Sequence, residues 1–450
     1  MRFAKALAVI PVLAALIWGC GQDTAGPSGI SESRTSLGGG DFDYIAQPPF
    51  KQMMALRRKP AIVFPFCGAG VICYTPQLLR AAYNFPGNLD GTGQTILLVE
   101  AFGSPTIRQD LADFDAFFGI PDPPSFTILC PDGCPTFNAH NPHGEAGWSS
   151  ETSLDVEYAH AMAPGANIVL VVAPTSSGNA IHSAEAKAIK LYPGSIMSQS
   201  FGVPEIVVRG NRTQLDQAHK NYQAAQAAGI TVLAAAGDAG ATNGFATANP
   251  WFPASDPLVT GVGGTEGDPY PGGLLGCGTT SCTGTYGGEQ VWNEPTFVAT
   301  PLATGGAPSA FFAVPSYQSA LNLTSRTVPD VAYNAAVNGG VLVIDATVAP
   351  GYFLLVGGTS GGTPQWAAIV ALANQAKGAP LGFINPTLYQ IGKCASNYAA
   401  DFHDITVGNN QLAGTPLGFS AKSGYDFATG LGTPNVTNLI KDLVTPPSCP

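Results

Sequence analysis

The sequence predicts an α/β fold in which a doubly wound, mainly parallel sheet carries helices on both faces, with long loops around it. Continuous apolar runs such as Thr95–Phe102 and Asn167–Pro174 are typical of strands that are buried on both faces. These runs alternate along the chain with segments of helical length and period. Such alternation is typical of parallel sheets, because each parallel pair of strands needs a crossover connection.

The elements follow one another without an internal repeat or a second domain boundary. The predicted strands are Thr95–Phe102, Asn167–Pro174, Ser195–Gly202, Ile230–Asp238 and Pro257–Gly264. The predicted helices are Thr75–Phe85, Ile107–Ile120, Ser149–Ala166, Ala180–Tyr192, Arg212–Gly229 and the segment after Gly357. Residues 265–340 are rich in Gly, Thr and Pro, so we expect long loops there, around the sheet edge.

The composition is that of a globular protein with a sizeable core. Hydrophobic residues make up 45% of the 450 residues and charged residues only 11%. With 19 Lys and Arg residues and a formal net charge of −11, the chain has little to neutralise phosphates, so we expect no nucleic-acid partner. The scarcity of ionised groups also suits an acidic medium, because fewer carboxylates lose their native pairing on protonation.

The first residues are typical of an export signal and not of a membrane span. Arg2 and Lys5 precede a short apolar run, and we assign residues 1–19 to a signal peptide. The small residue before Cys20 resembles a bacterial lipoprotein site, which predicts a lipid on Cys20 and attachment to a membrane. An ordinary signal peptide and a secreted protein are the alternative, because Trp18 is bulky for a lipoprotein site.

The remaining chain is divided into two parts by its pattern. Residues 20–72 show no clear period and are interpreted as a short tether or a reduced pro-segment. Residues 73–450 are interpreted as the folded domain. We expect an extracytoplasmic protein that is a monomer.

Eight cysteines remain besides Cys20, and an even number in an exported chain predicts disulfides. Cys130 and Cys134 are interpreted as a disulfide-closed turn, because no matching Cys or His pair follows them to complete a metal site. The pairing of the others stays open: Cys67, Cys73, Cys277, Cys282, Cys394 and Cys449.

The stretch Gly357–Gln375 sets Ser360 between glycines and a long apolar segment. Because Pro364 is tolerated in the first turn of a helix, the pattern predicts that Ser360 lies at the mouth of a buried helix. Free backbone N–H groups and the positive end of the helix dipole favour a nucleophile there, since its attack creates an oxyanion. By itself, a Gly-Thr-Ser turn is more commonly a plain N-cap. Ser360 is a nucleophile only if the chain also provides catalytic partners for it.

Two acids four residues apart, Glu151 and Asp155, share one face of the predicted helix Ser149–Ala166. Like charges this close repel each other unless one carboxyl is protonated or the two share a proton. Acids in a first turn commonly do no more than complement the helix dipole. Because the rest of this helix is nearly all apolar, we expect its two acids to enter a pocket.

Asp238 follows an apolar strand and is flanked by Gly237 and Gly240. The carboxyl ends of parallel strands carry the sites of open α/β sheets, although an Asp beside glycines also forms turns. In a pocket of low dielectric constant this carboxyl would stay protonated and could donate a hydrogen bond.

Taken together, these stretches resemble the sedolisins, the serine-carboxyl peptidases with a subtilisin-like fold. The resemblance covers residues 73–450 in the family's order. It rests on E-T-S-L-D at Glu151–Asp155, A-A-A-G-D at Ala234–Asp238, G-G-T-S-G-G-T-P at Gly357–Pro364, and the C-terminal pair FHDITVGNN and SGYDFATGLGTPN.

The resemblance implies a serine-type endopeptidase that hydrolyses the peptide bonds of proteins or peptides at acidic pH. Ser360 would attack the scissile carbonyl, and Glu151 would take its proton and later deliver it to the leaving amine. Asp155 would hold Glu151 and share its proton. Asp238, protonated, would donate to the oxyanion beside the Ser360 backbone N–H.

The C-terminal pair resembles the family's calcium site and implies one structural Ca²⁺ ion. Asp404 and Asp426 would contribute carboxylate oxygens. Backbone carbonyls would come from Ile405, Lys422 and Gly424. The family usually has Gly where Lys422 stands, and glycine is the residue that adopts positive φ readily.

Two other functions are compatible with parts of the sequence. A subtilisin-like hydrolase would use His143 as its base, since His143-Gly144 resembles the local motif of a protease histidine. A catalytically silent peptidase fold would serve as a surface binding protein, but all four catalytic positions are filled. Typical sedolisins also carry a long folded prodomain, whereas residues 20–72 would provide at most a reduced inhibitor.

Overall fold

The predicted apolar strands form the parallel sheet at the centre of the fold. This computed structural model describes residues 43–48, 72–141, 144–209, 212–267, 286–295 and 300–449, and the backbone of residues 51–57. The strands in these ranges are β1 (Lys51–Arg57), β2 (Cys73–Tyr74), β3 (Thr95–Ala101), β4 (Phe126–Leu129), β5 (Asn167–Ala173), β6 (Ile196–Gln199), β7 (Val203–Pro204), β8 (Thr231–Ala235), β9 (Trp251–Phe252), β10 (Thr260–Glu266), β11 (Gln290–Val291), β12 (Asn293–Glu294), β13 (Leu302–Ala303), β14 (Ala307–Pro308), β15 (Thr327–Val328), β16 (Val331–Asn334), β17 (Gly340–Val343), β18 (Tyr352–Gly357), β19 (Phe402–His403) and β20 (Thr433–Pro434). The helices are α1 (Pro76–Ala82), α2 (Ile107–Phe118), α3 (Glu145–Met162), α4 (Gly178–Leu191), α5 (Glu205–Val208), α6 (Arg212–Ala227), α7 (Thr359–Lys377), α8 (Asn385–Lys393), α9 (Ala395–Asp401) and α10 (Val436–Val444).

The main sheet has the strand order β11-β10-β8-β6-β3-β5-β4, and β16 also pairs with β10. Its pairs are parallel except for that of β10 with β11. Strand β3 lies between β5 and β6, with Ile96 aligned to Ile168 on one side and to Ile196 on the other. The predicted doubly wound α/β fold is therefore confirmed.

Helices cover both faces of this sheet because successive side chains of a strand point in opposite directions. Ile96 packs in one core with residues of α3 and α7, whereas Leu97 packs in a second core with residues of α4 and α6. Both side chains are completely buried. Full burial of such a side chain contributes about 1.5–3 kcal/mol to stability, so the first core holds α3 and α7 against one face of the sheet, and the second core holds α4 and α6 against the other.

The predicted start of α3 is wrong, although the helix itself is confirmed. It begins at Glu145, so Ser149 and Ser150 lie inside the helix and do not cap it. Glu151 consequently lies in the second turn. The buried Trp148, whose ring lies against Phe201, holds this additional first turn, and a local pattern cannot show such a tertiary contact.

Residues 265–340 contribute more to the core than the predicted loops would. Strand β16 joins the main sheet beside β10. The buried guanidinium of Arg326 donates to the carboxylate of Asp330, with Nη1 and Oδ1 2.6 Å apart. Strands this short leave no recognisable run in a Gly-rich sequence. Residues 268–285 and 296–299 lie outside the described residues.

The leading segment, residues 43–48 together with β1, packs on the domain although its sequence shows no clear period. Tyr44 and Ala46 are buried. Strand β1 pairs antiparallel with β18, and Lys51 lies opposite Gly357. The predicted limits of signal, tether and domain stay a prediction, since residues 1–42 lie outside the described residues.

Disulfides join Cys130 to Cys134, as predicted for that turn, and Cys394 to Cys449. Cys73 is also disulfide-bonded. The positions of Cys20, Cys67, Cys277 and Cys282 lie outside the described residues. The described residues belong to one compact unit, and none of their helices combines the length and the apolar character needed to span a membrane.

Candidate active site

Ser360 lies in the first turn of α7, as the sequence predicts. Strand β18 ends at Gly357, and Gly358 turns the chain with φ 131°, a conformation that favours glycine. Ser360 is the second residue of the helix, where backbone N–H groups lack helical carbonyl partners. Pro364 is the sixth residue, so it lies beyond the first turn in which it was expected. The Ser360 side chain is 0% exposed.

Glu151 and Asp155 lie one turn apart on α3, which packs against α7. Both carboxyls are completely buried. The Ser360 hydroxyl contacts the Glu151 carboxyl, in a geometry looser than a standard hydrogen bond. Burial raises the pKa of Glu151 well above its ordinary value, the charge of Asp155 raises it further, and the Ser360 hydroxyl opposes the rise.

A third carboxyl, that of Glu100, belongs to the same group. It lies near the carboxyl end of β3 and is 0% exposed. Burial raises the pKa of Glu100 well above its ordinary value, and the charges of Asp155 and Glu151 raise it further. Burial also raises the pKa of Asp155, while the neighbouring Ser200 hydroxyl and Glu100 carboxyl lower it. Three adjacent carboxyls cannot all be ionised without strong repulsion, so the group must retain protons.

Glu100 could have been found from the sequence. It is the single charged residue in the apolar run Thr95–Phe102 and stands near the end at which parallel sheets carry their sites. A charge inside a doubly buried strand must be paired, protonated or functional. Ser200 offered no comparable signal, because its role depends on its position beside Asp155.

Asp238 links the end of β8 to the start of α7. Its Oδ1 accepts hydrogen bonds from the Thr359 backbone N–H and hydroxyl, both at 2.9 Å. The same hydroxyl accepts from the Gly237 N–H at 3.0 Å. Asp238 is 5% exposed, and its charge raises the pKa of Glu151. The structure thus brings the four predicted residues Glu151, Asp155, Asp238 and Ser360 into one site.

Three of the described histidines have carboxyl partners elsewhere in the fold. His160 lies beside Asp115, His182 beside Glu185 and His219 beside Asp256. His143, which the alternative hydrolase would use, lies outside the described residues.

The predicted calcium ligands also come together, at a turn formed by residues 422–426. Asp404 accepts from the Gly424 N–H at 3.1 Å, and Asp426 accepts from the Lys422 N–H at 3.1 Å. The positive φ of this turn, 74°, occurs at Gly424 and not at Lys422. Lysine at 422 is therefore compatible with the turn.

This donor set fits a hard cation only in part. Two carboxylates and nearby backbone carbonyls are the oxygen ligands that Ca²⁺ prefers. No group of three or more His, Cys, Asp or Glu side chains gathers as a metal site anywhere in the described ranges. A Ca²⁺ ion at this turn would therefore depend on carbonyl oxygens, such as that of the buried Ile405.

Known proteins resemble this chain over most of its length. A sequence model of the subtilase family matches residues 138–390, which include all four candidate residues. Kumamolisin from Bacillus sp. (strain MN-32) is 34% identical over 443 residues, which cover 94% of this chain and 72% of kumamolisin. Tripeptidyl-peptidase 1 from Rattus norvegicus is 30% identical over 398 residues, which cover 83% of this chain and 64% of that protein.

A solved structure shares the fold. The structure described as Pseudomonas sedolisin (serine-carboxyl proteinase) complexed with two molecules of pseudo-iodotyrostatin superimposes with a TM-score of 0.71. The superposition covers 84% of this chain and 99% of that chain at 24% sequence identity. The extent of the kumamolisin match and the subtilase match around the site lead to one conclusion: this protein belongs to the sedolisin family of serine-type peptidases, which have the subtilisin-like fold.

Proposed function

We propose that this protein is an exported serine-carboxyl peptidase that hydrolyses the peptide bonds of proteins in an acidic medium. The observation that carries the proposal is the convergence of a serine in the first turn of α7 with the buried carboxyls of Glu151, Asp155 and Asp238. An active serine needs a base, and the group in contact with the Ser360 hydroxyl is a carboxyl.

In the first step Ser360 attacks the scissile carbonyl carbon while its proton passes to Glu151. A tetrahedral oxyanion forms, and its collapse transfers that proton from Glu151 to the leaving amine. Water then attacks the acyl-enzyme with Glu151 again as the base. The bond between the acyl carbon and the Ser360 oxygen breaks, Glu151 returns the proton to that oxygen, and the second product leaves with a free carboxyl group. Asp155 hydrogen-bonds Glu151 throughout and stabilises its changing charge.

Asp238 acts on the oxyanion in this proposal. Its Oδ1 already accepts two hydrogen bonds from Thr359, so the proton that it donates is carried by Oδ2. The backbone N–H of Ser360 in the first turn is the second donor. Donors fixed in advance at the position of the developing charge commonly contribute about 10²–10³ in rate each.

In this proposal the group of acids also favours an acidic optimum. The reaction needs one carboxylate, at Glu151, with protons held by its neighbours Asp155 and Glu100. Burial favours the protonated form of all three carboxyls, and the contact with the Ser360 hydroxyl is the one influence that favours the charge on Glu151. As the pH rises the neighbours ionise, so the arrangement is lost.

The proposal also includes a structural metal ion and a location outside the cytoplasm. Asp404, Asp426 and the carbonyls of Ile405, Lys422 and Gly424 would hold one structural Ca²⁺ ion, which would stiffen the C-terminal turn. The signal at residues 1–19 would place the peptidase outside the cytoplasm, as a secreted monomer or one attached to a membrane through a lipid on Cys20.

Denatured casein provides the direct test. The protein is incubated with it between pH 3 and 7, beside Ser360→Ala, Glu151→Gln and His143→Ala variants. We expect cleavage below pH 6 that falls by about 10⁴ or more in the first two variants and persists in the third. Absence of serine-dependent cleavage at every pH would favour the silent binding protein, and loss of activity in His143→Ala would favour the histidine-dependent hydrolase.

A further inference from the structure

Gly202 and Gly237 lie just beyond the ends of two neighbouring strands of the main sheet, β6 and β8, and both face the side chain of Trp251. A Cβ added at Gly237 would lie 2.8 Å from three atoms of the indole, and one added at Gly202 would lie 2.6 Å from its Cε3. Because Cβ atoms do not approach other atoms so closely, the indole of Trp251 fills the space between the two strand ends.

A short pair of strands places Trp251 in this position. Strand β9 pairs antiparallel with β7, and Trp251 lies opposite Pro204. Because β7 directly follows Gly202, this pair brings the indole back to the end of β6. The next residue, Phe252, is completely buried in the core that contains α4 and α6. Since successive side chains of a strand point in opposite directions, Trp251 points away from that core and towards the two glycines.

The space that the indole fills adjoins the reacting atoms. In the proposed mechanism the scissile carbonyl lies between the Ser360 hydroxyl, which attacks it, and Asp238, which stabilises its oxygen. The residue that contributes this carbonyl is the P1 residue, and its side chain begins within two bonds, about 3 Å, of the reacting carbon. Thr359 and the first turn of α7 occupy one side of Asp238. The P1 side chain must therefore enter on the other side, at Gly237 and Trp251.

The walls of this space cannot yield to a large side chain. Strands β6 and β8 are paired in parallel, with Gln199 aligned to Ala234 close to the two glycines. The indole itself is only 8% exposed, so it is packed on nearly every side. Extra groups forced into a well-packed site displace side chains and backbone at a cost in free energy. A P1 side chain the size of Ala or Ser needs little of the space, whereas Leu or Phe would collide with the indole.

From this arrangement we propose that Trp251 determines the specificity of the active site: its indole fills the space for the P1 side chain, so that the protein cleaves after small residues such as Ala and Ser and rejects large ones. The proposal rests on the proposed peptidase function and names the class of peptide bond on which that function acts. Exclusion of a competing substrate by a steric clash is a common source of specificity. A single residue at the floor of a subsite can therefore set the preference.

Peptides that differ only at P1 provide the first test, on the unaltered full-length protein. Each is an internally quenched peptide with Ala, Leu or Phe at that position, and mass spectrometry identifies the bond that is cut. We expect kcat/KM for the Ala peptide to exceed that for the Phe peptide at least about tenfold. Because both values come from one protein, the fraction of active molecules cancels in their ratio. Equal values, or a preference for Phe, would overturn the proposal.

Removal of the indole should reverse the preference. In Trp251→Ala the vacated space can receive a Phe side chain, so the ratio of kcat/KM for Phe to that for Ala should rise at least about 10²-fold. Trp251→Leu keeps an apolar side chain in the fold and should shift the ratio in the same direction by a smaller factor. The matched control is Trp292→Ala, which truncates a second buried Trp in a separate core and should leave the ratio unchanged. An unchanged ratio in both Trp251 variants would refute the proposal.

A binding measurement separates the subsite from the peptidase activity. Fluorescein-labelled forms of the Ala and Phe peptides are titrated into the full-length Ser360→Ala protein, with and without the additional Trp251→Ala change. We expect the Ala peptide to bind more tightly to the first protein and the Phe peptide to the second, each by at least about tenfold. This reversal without serine-dependent cleavage by any form of the protein would keep the subsite but refute the peptidase. Cleavage without any discrimination at P1 would keep the peptidase but refute the subsite.

Discussion

Asp238 shows how one side chain can serve the fold and the chemistry at once. One carboxyl oxygen fastens the start of α7 through Thr359. Gly237, with φ 96°, brings the strand end close enough for this contact. The other oxygen is the proposed donor to the oxyanion. The structural role of one oxygen can therefore be separated from the catalytic role of the other by substitution.

Asp238→Asn should keep the Thr359 bonds, because the amide oxygen still accepts, and its NH₂ group should donate at every pH. We expect kcat/KM to fall less than in Asp238→Ala, where the loss should be about 10²–10³. Activity of the Asn variant should also extend to higher pH. Measuring kcat/KM against pH for both variants tests this. Equal losses in the two would mean that Asp238 does not donate to the oxyanion.

At the scale of elements, the hairpin β17–β18 connects the helix that carries Ser360, α7, with the helix that carries Glu151, α3. Its strand β18 leads into Ser360, and the turn between the strands is tied to α3. Asp345 in that turn accepts from the hydroxyls of Ser149 and Ser150, at 3.1 and 2.8 Å. These serines directly precede Glu151. The hairpin therefore sets the distance between the serine and its base.

Asp345→Asn should weaken the hydrogen bonds from Ser149 and Ser150 without changing any reacting atom. We expect kcat to fall about tenfold with KM nearly unchanged, since a small displacement of catalytic groups is costly. The free energy of unfolding should fall by about 1–3 kcal/mol, as buried hydroxyls lose a charged acceptor. Steady-state kinetics and urea unfolding measure the two effects. Asp216→Asn, which alters an exposed carboxyl on α6, serves as the control, and a rise in KM alone would contradict the positioning role.

The turn at residues 422–426 makes a prediction for metal removal. If it binds Ca²⁺ with Asp404 and Asp426, chelation by EDTA should lower the Tm by about 2 °C or more, because a ligand that binds only the folded state stabilises it. Added Ca²⁺ should restore the Tm better than Mg²⁺, which demands a stricter geometry. Asp404→Asn should abolish the response. A Tm indifferent to EDTA in the unaltered protein would exclude the site.

At the scale of the whole molecule, buried acids give stability an unusual dependence on pH. Burial raises the pKa of several carboxyls above their ordinary values, for Asp155 from 3.8 to about 8. The others include Glu100, Glu151, Glu157 and Asp345. Such a group binds its proton more tightly when folded, so its stabilisation is complete below the unfolded pKa and is lost as the pH rises through the folded pKa.

We therefore expect the free energy of unfolding to fall by at least about 2 kcal/mol between pH 4 and pH 8. His403 opposes this trend, because burial lowers its pKa from 6.5 to about 4, but it is one group against several. Urea unfolding at a series of pH values measures the slope. Asp155→Asn should make the free energy of unfolding depend less steeply on pH. A free energy of unfolding that rises steadily up to pH 8 would contradict the prediction.

The sequence by itself determined the α/β class and the four candidate residues. Apolar runs and their alternation with helices are local consequences of burial on two faces, so they can be read without a structure. The motifs around Ser360, Glu151 and Asp238 were each weak alone, and their joint order pointed to one family. Helix α3 was recognised, but not its start at Glu145, because contacts from distant residues hold its first turn.

Only the tertiary structure decided how the acids of the site meet and where the leading segment packs. Glu100 is far from Asp155 in the sequence, and the two meet because helix α3 packs against strand β3. The leading segment has no periodic pattern, since its hydrogen bonds go to walls contributed by Ser176 and Gly202. The physical reason is the same in both cases: local patterns record how a residue is buried, whereas electrostatic coupling and strand addition depend on partners that the fold brings from far along the chain.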